Sequence, residues 1–580
     1  MLLLASTALC FYSASAQELQ PTPIPIPGAP IPGGPNLAPL RPAPLLPPLP
    51  ATPAPVTAPT LTGPLTTLPP GIPVPSVLPP VVPNARPELP LTGRPTAPPE
   101  RLVGAGQGYL IDGWQIVPSI DLRQSLTDNS LEVNSPRRTD TITTFAPSLT
   151  VSREGANNQI YLNYNLQGDV YWRDSDLSRV QHNLTEFSHT GLIRDWLYFD
   201  TDATIRQQPL QPFSGLTTNS AAQNINNAQE IGFAASPYLR HRFGTFAESE
   251  LRYAYGQVNY DTAGLVDTQN HQILWNTVSG DEFTRLKWTT QLGYTNSTRS
   301  GTLLFIGGPT QQFIANPNGD ATTAVGQVNF EYAINRQISA LWGGGYESIE
   351  DPTLAHNIHD AIWNIGFHLR PGPRTDLRVL YGRQYGATWW SGAGQYELSP
   401  ATKLTAQLIN DIETSSNLVQ QNLLGLDVDE YGNAVVGPDR RLFDLNDALL
   451  GISQAAFHRR RAELELRTEF GRNRLDPMVY YERRITDITG SVSEAQGVRL
   501  LYTRDLNPDL VGTASVAYQH TNFSGPSARE SDWYGSLGVI YSLSTRTGLY
   551  GTYSHLTRNS TIQSGDLEEN LFVIGVRRYF

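Results

Sequence analysis

Residues 461–470 read RAELELRTEF. Arg461, Glu463, Glu465, Arg467 and Glu469 fall on one side of this run, and Ala462, Leu464, Leu466, Thr468 and Phe470 on the other. Successive side chains of a strand point to opposite faces, so alternation of period two is a strand signature. The pattern returns at 376–385, where Leu377, Val379, Tyr381 and Tyr385 oppose Asp376, Arg378 and Gln384. It returns again at 250–255, where Leu251, Tyr253 and Tyr255 oppose Glu250 and Arg252.

A soluble sandwich also alternates, so three further features decide between it and a membrane barrel. The segments run to about 10–14 residues, against five or six for an ordinary soluble strand. Trp172, Trp196, Trp288, Trp389, Trp390 and Trp533 sit near segment ends, as expected for aromatic girdles at a membrane interface. Connections alternate between tight (near 372, 400, 508 and 545) and long (207–228, 296–322 and 413–455). Short turns at one end and long loops at the other are the rhythm of outer-membrane barrels. The expected fold is all-β: a large transmembrane antiparallel up-and-down β-barrel of about 22 strands, within a range of about 16–24. An even count places both strand termini on the periplasmic side.

The final decad, LFVIGVRRYF (571–580), fits a closing strand. Lipid offers no partner to an open edge, so the last strand of a barrel must pair with the first. Phe572, Ile574, Val576 and Phe580 are then expected to face lipid, with Arg578 snorkelling to the interface.

Three regions are expected: a signal peptide (1–16), a proline-rich disordered periplasmic linker (17–108), and the barrel (109–580). The first has a short apolar run and an Ala14-Ser15-Ala16 cleavage pattern but no preceding basic residue, as if the start codon were placed late. The second is dominated by proline, as in PTPIPIPGAPIPGGP, and proline lacks the N–H that helices and ladders need. A polyproline-II-like spacer follows, reaching roughly 250 Å if fully extended at about 3.1 Å per residue. No later stretch approaches the 18 or so apolar residues of a spanning helix. The expected localisation is the bacterial outer membrane, with the amino-terminal tail in the periplasm.

The only cysteine among 580 residues is Cys10, which removes disulfide and thiol chemistry from a processed chain. The net charge of −12 speaks against wrapping nucleic acid. Mean hydropathy is −0.30, an average that alternating barrel strands would also give.

Several phrases resemble a family of outer-membrane β-barrel proteins found with exopolysaccharide and PEP-CTERM surface systems. They are IVPSIDLRQSLTDNSLEV (116–133), LTAQLINDIETSSN (404–417), DEYGNAVVGPDRR (429–441), AFHRRRAELELRTEFGRNRL (456–475) and YYERRITD (480–487). The resemblance implies a porin-like barrel serving polysaccharide or surface-protein export, and it supplies no catalytic residues.

Chemical motifs are sparse. GAGQG (104–108) lacks the spacing of a dinucleotide loop, and the calcium-like start DVDEYGN (427–433) has Tyr431 where an oxygen ligand belongs. His356 and His359 lack a convincing third metal ligand. No G-x-S-x-G elbow appears, so no enzyme activity, cofactor or metal is expected. Charge on the lipid face costs about 2–4 kcal/mol per Arg or Lys at the midplane, which turns the charged faces inward. Asp376, Arg378, Arg461, Glu463, Glu465, Arg467, Glu482, Arg484 and Arg499 are the candidate lumen-lining residues. They either escort a solute or pair among themselves and fill a rigid interior.

The leading functional expectation is an outer-membrane pore passing or exporting a solute or exopolysaccharide. The alternatives are a scaffold whose proline tail tethers periplasmic partners and, more weakly, an outer-membrane enzyme. Only about a dozen residues separate the proline tail from the first strand, too few for a folded plug, which counts against siderophore-type uptake; the 413–455 connection is the candidate constriction. Expected partners are outer-membrane lipid, the barrel-assembly machinery, and a polysaccharide or periplasmic export component.

Overall fold

A computed structural model describes residues 49–50 and 108–580, apart from 132–133, 156, 210–222, 225–226, 262–264, 302, 307–311, 318, 424–425, 429–433, 437–452, 524–528 and 562–564. In it, 22 strands close into one antiparallel barrel. The first seven are β1 (Trp114–Thr127), β2 (Asp140–Glu154), β3 (Asn158–Tyr171), β4 (Arg179–Ile193), β5 (Leu197–Pro209), β6 (Asn227–Phe243) and β7 (Ala247–Tyr260). Next come β8 (Asp267–Ser279), β9 (Leu286–Ser300), β10 (Ala321–Ala333), β11 (Ile338–Glu350), β12 (Ile358–Leu369), β13 (Thr375–Gln384), β14 (Ala387–Ser399) and β15 (Thr402–Glu413). After a long connection follow β16 (Phe457–Phe470), β17 (Asn473–Thr486), β18 (Ser491–Asn507), β19 (Leu510–Phe523), β20 (Arg529–Ser544), β21 (Thr547–Ser560) and β22 (Leu567–Tyr579). Each pairs with its predecessor, and β22 closes on β1 from Leu571↔Thr127 to Tyr579↔Ser119. Just outside the closing strand, the Phe580 amide donates to the Pro118 carbonyl at 3.0 Å.

The alternation read from the sequence sorts the side chains, with the usual soluble order inverted. On β16, Arg459, Arg461, Glu463 and Glu465 are buried, while the intervening Leu464 is 42 % exposed. On β22, Leu571 is buried whereas Phe572 and Ile574 are exposed; Val576 lies on that outer face and Phe580 is exposed beyond it. A surface of exposed aliphatic and aromatic side chains around a charged interior is stable only in an apolar medium. Trp172, Trp389, Trp390 and Trp533 lie toward one end of the cylinder, and Trp196 and Trp288 toward the other.

The connections divide by end. One end has only short turns, at 155–157, 194–196, 244–246, 280–285, 334–337, 370–374, 400–401, 471–472, 508–509 and 545–546. The other carries 128–139, 210–226, 301–320 and 414–456. That second end also has short connections, contrary to strict alternation of length. Residues 385–386 form a two-residue turn in which Tyr385 (φ 56°) and Gly386 (φ 71°) both adopt the left-handed region that such hairpins favour. Tyr385 is therefore a turn residue, not the end of an apolar strand face. Its side chain packs against the buried cluster of Ile349, Leu354 and Ala456, as do Ile358 and Ile412.

The β13–β14 hairpin is consequently low, and the β14–β15 ladder extends only from Ser399↔Thr402 to Gly392↔Leu408. Above it, Ala387–Ser391 and Ile409–Glu413 run side by side without a shared ladder. A second partial junction joins β4 to β5, whose ladder stops at Leu184↔Ile205. Of the expected proline-rich linker, only Gly108 and Leu49–Pro50, the latter paired with Gln223–Asn224, are described; the rest lies outside the described residues, as does the signal peptide.

Candidate functional site: a charged and pinched lumen

The inward faces carry the chemistry. Arg461 bridges Glu463 (3.1 Å) and Glu482 (3.3 Å), and Arg484 meets Glu482 at 2.6 Å, all four buried. Glu465 is buried on the same face, and Arg467 reaches Glu465 at 3.9 Å and Asp476 at 4.0 Å. Arg499 lies on the inward face of β18, half-buried. On β13, Arg378 is buried beside His368, whose two ring nitrogens meet Glu331 (2.9 Å) and Asp376 (3.0 Å). Asp376 itself is half exposed near the short-turn mouth. The structure brings these residues together as wall pairs, so their charges are largely neutralised by each other.

Other inward pairs were not among the lumen-lining candidates of the sequence reading, although Glu250 and Arg252 already fell on the charged face of their run. Arg252 is clamped by Asp200 (3.0 Å) and Glu250 (2.9 Å) with its guanidinium 3.8 Å from the Tyr238 ring centre. Arg558 meets Asp532 at 2.8 Å, and Arg577 meets Asp121 at 2.9 Å across the closing seam. An inward arc of rings crosses β3 to β6: Tyr161 stacks on Phe187, and His189 and Tyr238 flank Tyr198.

At the long-loop end the lumen is pinched. Immediately after β15 the chain forms helix α1 (Ser415–Leu423). Thr414 caps it, its hydroxyl accepting the Asn417 amide at 3.2 Å, which satisfies one of the orphan donors of a helix start. The helix docks on the inner wall. Ser416 Oγ accepts from Thr268 Oγ1 on β8 at 3.2 Å, and Asn417 Oδ1 accepts from Asn270 at 3.3 Å. Val419 packs against Ala234, Ala254, Val258 and Leu274, inward residues of β6 to β8. The returning chain is strapped beside it. Gln454 takes both the amide (3.1 Å) and the carbonyl (2.8 Å) of Val266, and the Ala456 amide donates to Thr353 Oγ1 at 2.8 Å. Thr353 is held by Asp351, itself bound by Arg299 through Nη1 at 3.0 Å.

Chain length turns these contacts into a measure of the mouth. At roughly 3.3–3.6 Å per residue, Ser416 lies within about 11 Å of Glu413 at the top of β15. A circular barrel of 22 strands at about 4.8 Å spacing and ~40° tilt would hold β8 and β15 roughly 37 Å apart. Here Ser416 touches β8 directly, so the top of β15 lies far closer to β8 than in that circular barrel, with α1 between them. Ala234, Ala254, Val258 and Leu274 form the apolar inward patch that the helix covers.

Among the described residues, no group of three or more His, Cys, Asp or Glu side chains is placed to hold a metal ion. His359 faces outward, bonded to Ser348 at 2.9 Å.

Residues 478–580, from β17 to the closing strand, match the family model described as "Putative beta-barrel porin 2". No curated protein matches the chain. Among solved structures, the ferric-catecholate import receptor Fiu of E. coli K12 is similar at 9% identity and TM-score 0.47, covering 82% of each chain. The siderophore receptor PirA of Acinetobacter baumannii is similar at 8% identity and TM-score 0.46, covering 80% of each. PirA of Pseudomonas aeruginosa gives 8%, 0.38 and 80% of each. The closed barrel, its apolar exterior and the porin-family match together make this an outer-membrane, porin-like β-barrel. Its short-turn end is periplasmic and its long-loop end extracellular.

Proposed function

We propose that the barrel passes or exports a solute through its lumen and that α1 is the constriction controlling passage at the extracellular mouth. The observation that carries this reading is the direct docking of Ser416 and Asn417 on Thr268 and Asn270. These two hydrogen bonds are long, and with the Val419 packing and the Gln454 and Ala456 straps they are still few beside the barrel ladders, so releasing α1 costs little beside dismantling the barrel. Neutral hydrogen bonds contribute about 0.5–1.5 kcal/mol each. The paired charges on the wall leave a hydrated path without strong ion preference. No chemistry is assigned to the barrel.

A carbohydrate, including an exopolysaccharide strand, is the solute class favoured by the inward arc of Tyr161, Phe187, Tyr198 and Tyr238. Apolar sugar faces stack on aromatic rings, whereas small anions gain nothing from the electron-rich ring faces.

The test is planar-bilayer recording of the full chain with Thr268→Cys and Ser416→Cys introduced together. The oxidised pair should hold conductance near the closed level, and reduction should restore openings. A barrel that shows no conductance when reduced, and none when the helix anchors are removed, overturns the pore. Neutral oligosaccharide should interrupt the open current, and Phe187→Ala with Tyr198→Ala should shorten the interruptions.

A scaffold reading is favoured by the closed mouth and dense wall pairing. Under it, deleting residues 17–100 would abolish surface assembly and leave conductance unchanged.

A further inference from the structure

The outer face of the barrel carries a row of polar side chains where apolar ones are the rule. Register places Asn410 of β15 opposite Arg460 of β16, Arg460 opposite Arg483 of β17, and Arg483 opposite Glu494 of β18. All four point outward, because their chain neighbours Asp411, Arg459, Arg461, Glu482, Arg484 and Ala495 are buried in the interior. The row lies toward the extracellular ends of these strands. The next outward residues below it are Leu408, Ala462, Tyr481 and Gln496, and one step further down come Leu464, Val479 and Val498, exposed as lipid-facing residues are.

Two guanidinium groups directly opposite each other on adjacent strands repel. Glu494 compensates only one of them, its Oε1 lying 3.2 Å from Arg483 Nε with both side chains about one-third exposed. Among the described residues Arg460 meets no carboxylate. Its guanidinium instead lies 4.2 Å from the ring centre of Trp389, which reaches it from β14 where the β14–β15 ladder has stopped. A cation held over an aromatic plane at the outer edge of an apolar band, beside a second cation, is arranged for an anion arriving from the side. The acyl-lined surface beneath it fits an amphiphile.

We propose that Arg460 and Arg483, with Asn410 and Trp389, form an exterior binding site for the phosphate headgroup of an outer-leaflet lipid, whose chains lie along Leu408, Leu464 and Val479. Arginine suits the task, since its planar donors grip phosphate oxygens in pairs. The site is independent of the lumen and of whether the barrel conducts.

The test is native mass spectrometry of the full-length barrel released from neutral detergent containing bisphosphorylated lipid A. Wild-type barrel should retain the lipid, and R460Q/R483Q should retain about tenfold less. Arg504 is an exposed outward arginine at the periplasmic end of β18, so R504Q should retain as much as wild type. W389A keeps both charges and should show a partial loss, which guards against a double variant that fails to fold. Phosphatidylcholine should not be retained. Retention unaffected by millimolar inorganic phosphate supports the lipid; its displacement would assign the site to free phosphate and overturn the proposal. Equal retention by wild type and folded R460Q/R483Q would also overturn it.

Discussion

Arg459 and Asp411 face each other across the β15–β16 ladder, and the guanidinium meets both carboxylate oxygens: Nε–Oδ1 at 3.0 Å and Nη2–Oδ2 at 2.6 Å. Both side chains are buried just below the point where α1 leaves the wall. A bidentate pair of this kind fixes the orientation of the strand end that launches the helix.

Arg459→Met is expected to destabilise the folded barrel by about 3–5 kcal/mol, because it strands a buried carboxylate. The double variant Arg459→Met, Asp411→Leu should recover most of that loss, since replacing both charges removes the uncompensated group. Urea titration of the folded fraction in detergent measures both; a double variant worse than the single one would refute the account.

Removing the cap of α1 should loosen the pinch without touching the barrel. Thr414→Ala is expected to cost the helix about 1 kcal/mol. It should raise the open fraction in single-channel records roughly fivefold while leaving the unfolding midpoint of the barrel unchanged.

Ile574 stands outward in the middle of the closing strand. Ile574→Arg should cost about 2–4 kcal/mol when the barrel folds into lipid. Gln124 is its outward register partner on β1. Gln124→Leu should therefore be neutral or stabilising in the same assay. Folding into vesicles, followed by gel mobility, separates the two outcomes.

The straps beside α1 should survive moderate acid. Burial pushes the Asp351 carboxyl up, but the hydrogen bonds and charge of Arg299, with help from Thr353, outweigh it and hold the group below its ordinary value of 3.8. A carboxyl depressed by folding stabilises fully above its unfolded value and loses that contribution as pH falls through the folded one. Closure by the Asp351 strap should therefore be constant from neutral pH down to the ordinary carboxylate range and weaken only below it. Asp351→Asn should bring the weakening to neutral pH, read as increased conductance.

The barrel was legible in the sequence because membrane and lumen impose opposite demands on alternate residues, and RAELELRTEF satisfies both at once. Strand faces followed from that rule, including the placing of Arg461, Glu463, Glu465 and Arg467 opposite Leu464. The pinch was legible only as a long connection able to fold inward. Contact between β8 and the helix that follows β15 depends on the cross-section of the cylinder, which no local pattern encodes, and α1 is too short to announce itself by periodicity. Tyr385 misled for a related reason. An aromatic in phase with Leu377 and Val379 reads as strand, yet the following glycine lets the chain reverse there.

The low β13–β14 hairpin leaves Ala387–Ser391 and Ile409–Glu413 adjacent but unlaced. A cylinder under lateral tension parts first where no rungs must be broken, so this slit is its built-in expansion joint. Those amide protons of Ala387–Ser391 that face β15, not the ones laddered to β13, should trade for deuterium ahead of those in the β15–β16 ladder, and the lipids bordering that slit would be the first to sense the wall widen.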